Sequence, residues 1–515
     1  MVVEELAPLD DIVAKCNRCG FCQAGCPVYR VTGQEHSLSR GRMAIARELL
    51  LGRLELTGEV VEALDDCLLC RGCTAHCFPA LKTDQVVTAI RYAYLVRQGQ
   101  PAWQRVLFRS VLANSKRLEW AGRMAVFSKR TGLTSVAERA GAFRIADRRI
   151  EGVNEVLASP GRIFLRGKRP GTDGGGALVE LLPGALTSCL SGTVEATSRA
   201  LCRARRAAGR LQDKGVEWTL AKRTGLSSLA RRSGILRLAD RQFGAMGEAL
   251  ASLSGRLARR VERSRDGDRA RCRIGYFVSC GLSFQFPEVV EATLRVLNRA
   301  GCAVAVLDNT CCGRPASAYG DLDAARDIAR RNVERLASAM HLDAIVSDCG
   351  SCSTYLKEYG ELLSGDAGHA ERAAALSRKV RSFSEFVAAI GMGDHLAPVE
   401  ATVTYHDPCH LSRRFANITA QPRALLRALP GLSFKEMAEA DWCCGAAGSY
   451  TFLHHAEAKG ILDRKMINVE KTGAAILATE CPSCMMHLAF GARHKGLRVD
   501  VQHVSQILDR ASATP

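Results

Sequence analysis

The chain has 515 residues, 47% hydrophobic and 24% charged, and its 71 Lys and Arg against 53 Asp and Glu leave a net charge of +18. This is globular composition with length for roughly two to four domains, and no apolar stretch approaches the roughly 20 residues that cross a bilayer. The stretch from Met1 to Asp11 carries four acids and no base, so no secretory signal is expected there. Twenty-two cysteines in such a chain point to a reducing cytosol, where short spacings read as metal ligands rather than disulfides.

The first hundred residues hold two runs of identical spacing. Cys16, Cys19, Cys22 and Cys26 form C-x2-C-x2-C-x3-C before Pro27, and Cys67, Cys70, Cys73 and Cys77 repeat it before Phe78-Pro79. Three thiolates at such gaps wrap one corner of an iron–sulfur cube, and the fourth reaches the other cluster. The spacing therefore assigns Cys16, Cys19, Cys22 and Cys77 to cluster one, and Cys67, Cys70, Cys73 and Cys26 to cluster two. Zinc, which prefers two separated C-x2-C pairs, suits a continuous run of four poorly. Between and after the runs, apolar periodicity predicts helices over Ser39 to Leu51 and Val86 to Val96. Arg40, Arg42 and Arg71 lie near these cysteines, either solvated or set to tune a cluster or dock an acidic partner.

Residues 101–272 contain no cysteine cluster and carry an excess of 19 positive charges, which is all of the chain's surplus. This middle repeats itself: 129–148 and 222–241 share 13 identities in 20 positions, a tandem duplication. The glycine-rich stretch Gly171 to Gly176 reads as a connector, since no strand precedes it and no Lys-Ser/Thr follows. The bases alternate with Leu, Ala and Val rather than aromatics, so nucleic acid is not an expected partner. Val106 to Leu112 and Ala125 to Arg130 instead suit helices lying on an anionic membrane surface or an acidic partner, against the plainer reading of a solvated spacer.

The C-terminal half is a second duplication. Cys280, Cys311-Cys312-Gly313 and Cys349-x2-Cys352 recur as Cys409, Cys443-Cys444-Gly445 and Cys481-x2-Cys484, with 36 residues between the pair and the following cysteine in both copies. Strands are expected before each motif, over 273–278, 302–307, 344–346, 401–405, 432–434 and 474–478, with helices such as 323–337 and 456–470 between. Alternating strand and helix means a parallel sheet, whose ligands bind at the carboxyl strand ends. Each copy thus delivers five thiolates to one point, a third and a fourth site. Five exceeds what a cubane or tetrahedral zinc uses, so each site is either an iron–sulfur centre, non-cubane or with one thiolate free, or a zinc site. Gly313 and Gly445 are needed for a tight turn after the paired cysteines. His406, His410, His454 and His455 lie near the fourth site as proton donors or as satisfied polar residues, and Cys189, Cys202, Cys272 and Cys302 read as small apolar residues.

The paired Cys-Cys-Gly motif with its downstream Cys-x-x-Cys resembles the cysteine-rich domain of heterodisulfide reductases. Behind a two-cluster ferredoxin module it resembles the iron–sulfur subunit of glycolate oxidase, and is similar to lactate-utilisation proteins and to the corresponding subunits of anaerobic glycerol-3-phosphate dehydrogenase and heterodisulfide reductase. Cys16 to Tyr29 with Ser39-Arg-Gly-Arg42, Tyr405 to Leu411, Cys443 to Tyr450 and Asp463 to Lys465 are most similar to the glycolate oxidase type. The resemblance covers about 1–100 and 273–510. Two features depart from that type: the intact Cys481-Pro-Ser-Cys484, as in heterodisulfide reductases, and the duplicated middle. The residue patterns and the resemblance together predict an α/β chain with a mainly helical two-[4Fe-4S] ferredoxin-type domain (1–100), a basic helical linker with an internal duplication read from the residues (101–272), and two cysteine-rich domains with parallel sheets (273–400 and 401–515). It further implies an electron-transfer subunit taking electrons from an FAD-containing dehydrogenase of glycolate, lactate or glycerol 3-phosphate to a quinone or other carrier, since no flavin fingerprint is present. The expected location is the cytoplasm, with the inner face of the cytoplasmic membrane as a contact. A thiol–disulfide reductase is the rival reading.

Overall fold

The computed structural model describes residues 4–118, 120–121, 270–392, 396–412 and 415–512. Both copies of the duplicated middle segment, the Gly171 to Gly176 connector, Ala125 to Arg130, Cys189 and Cys202 lie outside the described residues. All described residues belong to one compact unit.

The N-terminal part is helical. Its main helices are Ser39–Leu50 and Thr83–Gln98. Met43, Ala46 and Leu49 fall three apart on one face of the first and are buried against Leu64, Val86, Ile90 and Ala93. Short helices surround them. Pro27 opens Pro27–Thr32, where its missing N–H costs nothing, and Gly33 at φ +67° ends it.

The C-terminal part contains two four-stranded parallel sheets. In the first, β1 (Cys272–Tyr276), β2 (Cys302–Val306), β3 (Ala344–Ser347) and β4 (Val380–Ser382) run in the order β2-β1-β3-β4. In the second, β5 (Ala401–Tyr405), β6 (Leu432–Phe434), β7 (Ile476–Thr479) and β8 (Asp500–His503) run β6-β5-β7-β8. Six strands fall where alternation placed them; the edge strands β4 and β8 were not foreseen. Helices Leu322–Arg335 and His455–Thr472 occupy equivalent places between them. Cys272 and Cys302 are register partners on β1 and β2, with sulfurs 3.0 Å apart, so they pack against each other.

The two repeats clasp one another. Gly350 N–H donates to Glu480 O at 2.8 Å, His503 Nε2 meets Asp348 O at 2.8 Å, and Arg295 and Arg299 both pair with Asp509 at 2.8 Å. The ferredoxin-like part packs on both. Arg91 donates to Ala318 O at 2.7 Å, and Gly320, at φ +86°, lies so close to Arg91 that a Cβ would come within 2.5 Å of its side chain.

The segment after residue 100 corrects one expectation. Helix Ala102–Val106 continues as a π-helical turn, Leu107–Leu112. Phe108 and Leu112 are buried, Trp103 and Phe108 pack on Tyr319 at ring distances of 6.1 and 5.5 Å, and Arg109 pairs with Asp321 at 3.3 Å. Phe108 and Leu112 are therefore seated on the first cysteine-rich repeat and not available to lipid, while Val106 stays exposed.

Candidate metal centres

The two ferredoxin-type loops adopt the same local backbone. Arg18 and Leu69, equivalent within C-x2-C, both have φ +52°, and the next equivalent pair, Gly20 and Arg71, have φ +89° and +54°. Left-handed backbone at bulky residues costs roughly 1–2 kcal/mol each and persists where the surroundings demand it. Arg71 is held by Asp84, 3.0 Å away, and its guanidinium lies 3.9 Å over the Phe415 ring. Arg42 is buried and pairs with Asp66 at 2.7 Å, within the electrostatic reach of Cys26 and Cys67. Neither arginine is solvated or free for a partner. Arg40 is half-buried, pairs with Glu35 at 2.5 Å and lies within the electrostatic reach of Cys22.

Cys26 sits among Cys67, Cys70 and Cys73, close enough to act on them electrostatically, whereas Cys16 and Cys77 pack against the same apolar core. Burial pushes the Cys26 thiol up to about 11 and the Cys73 thiol up to about 12. Such thiols become ligands only beside a cation, which inverts that preference.

In the C-terminal half the five-thiol sets lie at the carboxyl ends of the strands, as a parallel sheet requires. Sequence reasoning treated them as separate points, and the structure brings them side by side. Thiol contacts run without a break through Cys280, Cys311, Cys312, Cys352, Cys349, Cys481, Cys484, Cys444, Cys443 and Cys409. The link between repeats is Cys349 to Cys481. Hydrogen bonds from neighbouring thiols, led by those of Cys311 and Cys443, hold Cys312 and Cys444 well below the ordinary thiol range. Cys481 is lowered as well, whereas its equivalent Cys349 is raised, so the repeats agree at the second member of each pair and differ at the first cysteine of C-x2-C. Gly313 and Gly445 have φ +89° and +86°, and each turns its N–H to the first cysteine of its pair at 3.5 Å.

All ten thiols line one mostly apolar cavity of about 520 Å³. Its far wall is Trp103, Leu107, Phe108, Tyr319, Phe452 and Leu453, none of which the cysteine spacing could have revealed. Cys67 of the ferredoxin-type part also reaches it. Cys22, Cys26, Cys70 and Cys443 share one buried cluster, against which Cys409 and Cys73 pack. The fourth site therefore abuts the second ferredoxin-type loop directly. A set of buried thiols with a cavity at its centre fits a polynuclear metal group.

The histidines divide. His410 Nδ1 hydrogen-bonds to Ser351 Oγ at 2.9 Å, and Ser351 lies 3.8 Å from Cys481 Sγ. His455 Nδ1 donates to Thr451 O at 3.2 Å, and His454 stacks on Tyr450 with centroids 4.6 Å apart. His406 is fully buried with neither ring nitrogen partnered. Burial pushes His406 and His410 down to about 3, so both are neutral. Two buried carboxyls missed by motif reading precede the C-x2-C motifs, Asp348 and Glu480, pushed by burial up to about 6 and about 8. Lys465, also buried, donates to Glu439 O at 2.5 Å and Ala440 O at 3.1 Å.

Comparison with known proteins agrees with this geometry. A 4Fe-4S dicluster domain model matches residues 12–79, a cysteine-rich domain model matches 274–357 and 403–489, and a model of the linker region of glycolate oxidase iron–sulfur subunits matches 99–157. That linker match takes in the first copy of the middle repeat and stops before the second. A probable glycolate oxidase iron–sulfur subunit of Bacillus subtilis is 26% identical over 96% of this chain and 93% of its own length. Lactate utilization protein A of Shouchella clausii is 31% identical over 46% of this chain and 98% of its own length. A subunit of the fumarate reductase (CoM/CoB) of Methanothermobacter marburgensis is 33% identical, over 48% of this chain and 47% of its own length.

Proposed function

The chain belongs to the family of iron–sulfur subunits that join a 4Fe-4S dicluster domain to two cysteine-rich domains, and on that premise we propose that it is the electron-transfer subunit of a flavin-linked dehydrogenase of the glycolate or lactate type. Cys16, Cys19, Cys22 and Cys77 hold one [4Fe-4S] cluster, and Cys67, Cys70, Cys73 and Cys26 the other. Cys280, Cys311, Cys312, Cys349 and Cys352 hold a third iron–sulfur centre, and Cys409, Cys443, Cys444, Cys481 and Cys484 a fourth. An FAD-containing partner oxidises a 2-hydroxy acid, and a quinone or other carrier receives the electrons. The basic residues of 101–272 outside the seated segment 102–112 meet an anionic membrane surface or an acidic partner.

The observation that carries this reading is the unbroken succession of sulfur sites. Cys70 and Cys409 share one buried cluster, and Cys481 touches Cys349. Electrons pass from cluster one to cluster two, then to the fourth site and on to the third. The test is anaerobic mixing with an FAD-containing 2-hydroxy-acid dehydrogenase, a 2-hydroxy acid and a soluble quinone analogue. Bleaching of the iron–sulfur absorbance and reduction of the quinone are expected. Cys443→Ser should stop quinone reduction while the ferredoxin-type clusters still bleach. Quinone reduction at full rate in that variant refutes the proposed order.

The ten thiols around one cavity favour a second reading, a thiol–disulfide reductase. It requires turnover of a small disulfide by the protein with an artificial donor and no flavoprotein.

A further inference from the structure

The two cysteine-rich repeats share a backbone, and among the buried positions where they differ is one that places a nitrogen beside the thiols of the second. Tyr276 and Tyr405 end β1 and β5 in both. The next residue is Phe277 in the first repeat and His406 in the second. Their equivalence is fixed by the sheet: Phe277 N–H donates to Val346 O at 2.8 Å and His406 N–H to Ala478 O at 2.9 Å. Both side chains are fully buried.

A phenyl ring in that place asks for nothing. An imidazole does, because a neutral ring carries one donor and one acceptor. Neither ring nitrogen of His406 has a hydrogen-bond partner. An orphaned buried polar atom is costly, and such atoms in native proteins call for a partner such as an ion. A specific partner position is at hand. A ring nitrogen of His406 and the sulfurs of Cys444 and Cys484 all lie within 4.8 Å of one another. Those sulfurs are 3.5 Å apart. Three donors that close, all buried, are spaced as co-ligands of one metal ion.

We propose that His406 supplies a nitrogen ligand to the metal centre of the fourth site, beside Cys444 and Cys484. The two repeats then hold chemically different centres, all-thiolate in the first and mixed thiolate–imidazole in the second. This rests on the reading that the fourth site holds an iron–sulfur centre. With five thiolates present, binding of the imidazole leaves one of them free of the centre, and a neutral imidazole in place of an anionic thiolate favours the reduced state, as it does where histidine replaces cysteine in two-iron clusters. The fourth centre is accordingly the more easily reduced of the pair.

The experiment uses the full chain, prepared anaerobically with 15N-histidine, beside its unlabelled counterpart. Pulsed electron paramagnetic resonance of the reduced protein should show one centre with strong, directly bonded nitrogen coupling that changes with the isotope. In His406→Phe, which installs the first repeat's residue, that coupling disappears. The iron content stays close to wild type, and one centre becomes about tenfold or more harder to reduce at a fixed donor ratio. Absence of isotope-sensitive coupling in the wild type overturns the proposal without any variant. So does a coupling too weak for a direct bond, which marks a hydrogen bond to sulfur. A double variant, Cys444→Ser with Cys484→Ser, leaves three of the five thiolates and separates the premise from the inference. If it removes no metal, the fourth site holds none, and both fall. If it removes metal but the labelled protein shows no nitrogen coupling, the iron–sulfur reading stands and the histidine ligand alone is refuted.

Discussion

The paired-cysteine motifs contain a test with an internal control, because the same substitution meets different surroundings in the two repeats. Gly313 and Gly445 both occupy the left-handed region, at φ +89° and +86°. Alanine at either costs roughly 1–2 kcal/mol for that conformation. At Gly313 the new methyl meets nothing nearer than 3.4 Å, an ordinary contact with Ala325 O. At Gly445 it would stand 2.7 Å from Ala458 O, and Ile461 flanks it at 3.3 Å. Ala458 O belongs to the backbone of helix His455–Thr472, so it cannot rotate away, and relief must come from a shift of the helix or the loop. Overpacking of that kind adds about 1–3 kcal/mol. Gly445→Ala should therefore cost about 2–5 kcal/mol and Gly313→Ala about 1–2 kcal/mol. At about 2–4 °C per kcal/mol, the melting midpoint followed by anaerobic circular dichroism should fall roughly 4–20 °C for Gly445→Ala and 2–8 °C for Gly313→Ala. The same shift should weaken the Gly445 N–H contact with Cys443 Sγ, so Gly445→Ala should also lose metal. Equal losses, or a larger loss for Gly313→Ala, would refute the reasoning.

Cys22→Ser and Cys77→Ser should abolish the spectrum of one ferredoxin-type cluster and Cys26→Ser that of the other; Cys22 and Cys26 behaving alike refutes the crossed fourth ligand. Anaerobically purified protein should contain about 16 iron atoms, four in each of four centres, and about 8 with bound zinc would show that the C-terminal sites are not iron–sulfur. Arg423 holds buried Asp407 through two bonds of 2.7 and 2.8 Å, so Arg423→Ala should destabilise by about 3–5 kcal/mol in denaturant titration. Arg464→Ala, whose partner Glu439 is 38% exposed, should cost no more than about 1 kcal/mol, and equal effects would undo the burial argument. The full chain should float with anionic liposomes at low salt and release at high salt, and deletion of 198–260 should lower the salt needed; salt-independent flotation or none removes the membrane contact.

The parts of this molecule legible in its sequence are those where chemistry imposes spacing. The C-x2-C loops, the paired cysteines and the strands feeding them announce themselves because a thiolate set tolerates little variation in backbone. The edge strands did not, for a physical reason. Val380–Ser382 and Asp500–His503 are three and four residues long, each with a single apolar residue, and hold their place through ladder bonds to β3 and β7. Period-two alternation needs apolar residues on either side of a polar one, as Leu432-Ser433-Phe434 has, and neither of these strands holds two. The seating of Phe108 and Leu112 was equally invisible. An amphipathic pattern states that an apolar face will be covered and leaves open whether lipid, partner or the same chain covers it. The convergence of both five-thiol sets on one cavity depends on how the two sheets clasp, through contacts such as Gly350 to Glu480, which no local pattern encodes.

Duplication accounts for the shared scaffold, and the differences within it follow position. Asn332 of the first repeat ties Thr310 N–H and Cys311 O at 3.0 and 2.9 Å, and Lys465 stands at the equivalent turn of the second, bonding carbonyls of the loop before Cys443. Phe277 is matched by His406, and Asp348 by Glu480. The same loop-bracing role is thus kept while the buried groups around the thiols change. The repeat that carries the lysine and the unpartnered histidine is also the one whose Cys409 packs against Cys70 of the ferredoxin-type part. Two identical centres side by side would give electrons no preferred place to rest between entry and exit. On the proposed path, a cation and a neutral nitrogen donor at the nearer one would stabilise its reduced form, so the fourth centre would receive from the ferredoxin-type clusters and the third would pass charge on beside the apolar wall of Trp103, Phe108 and Tyr319.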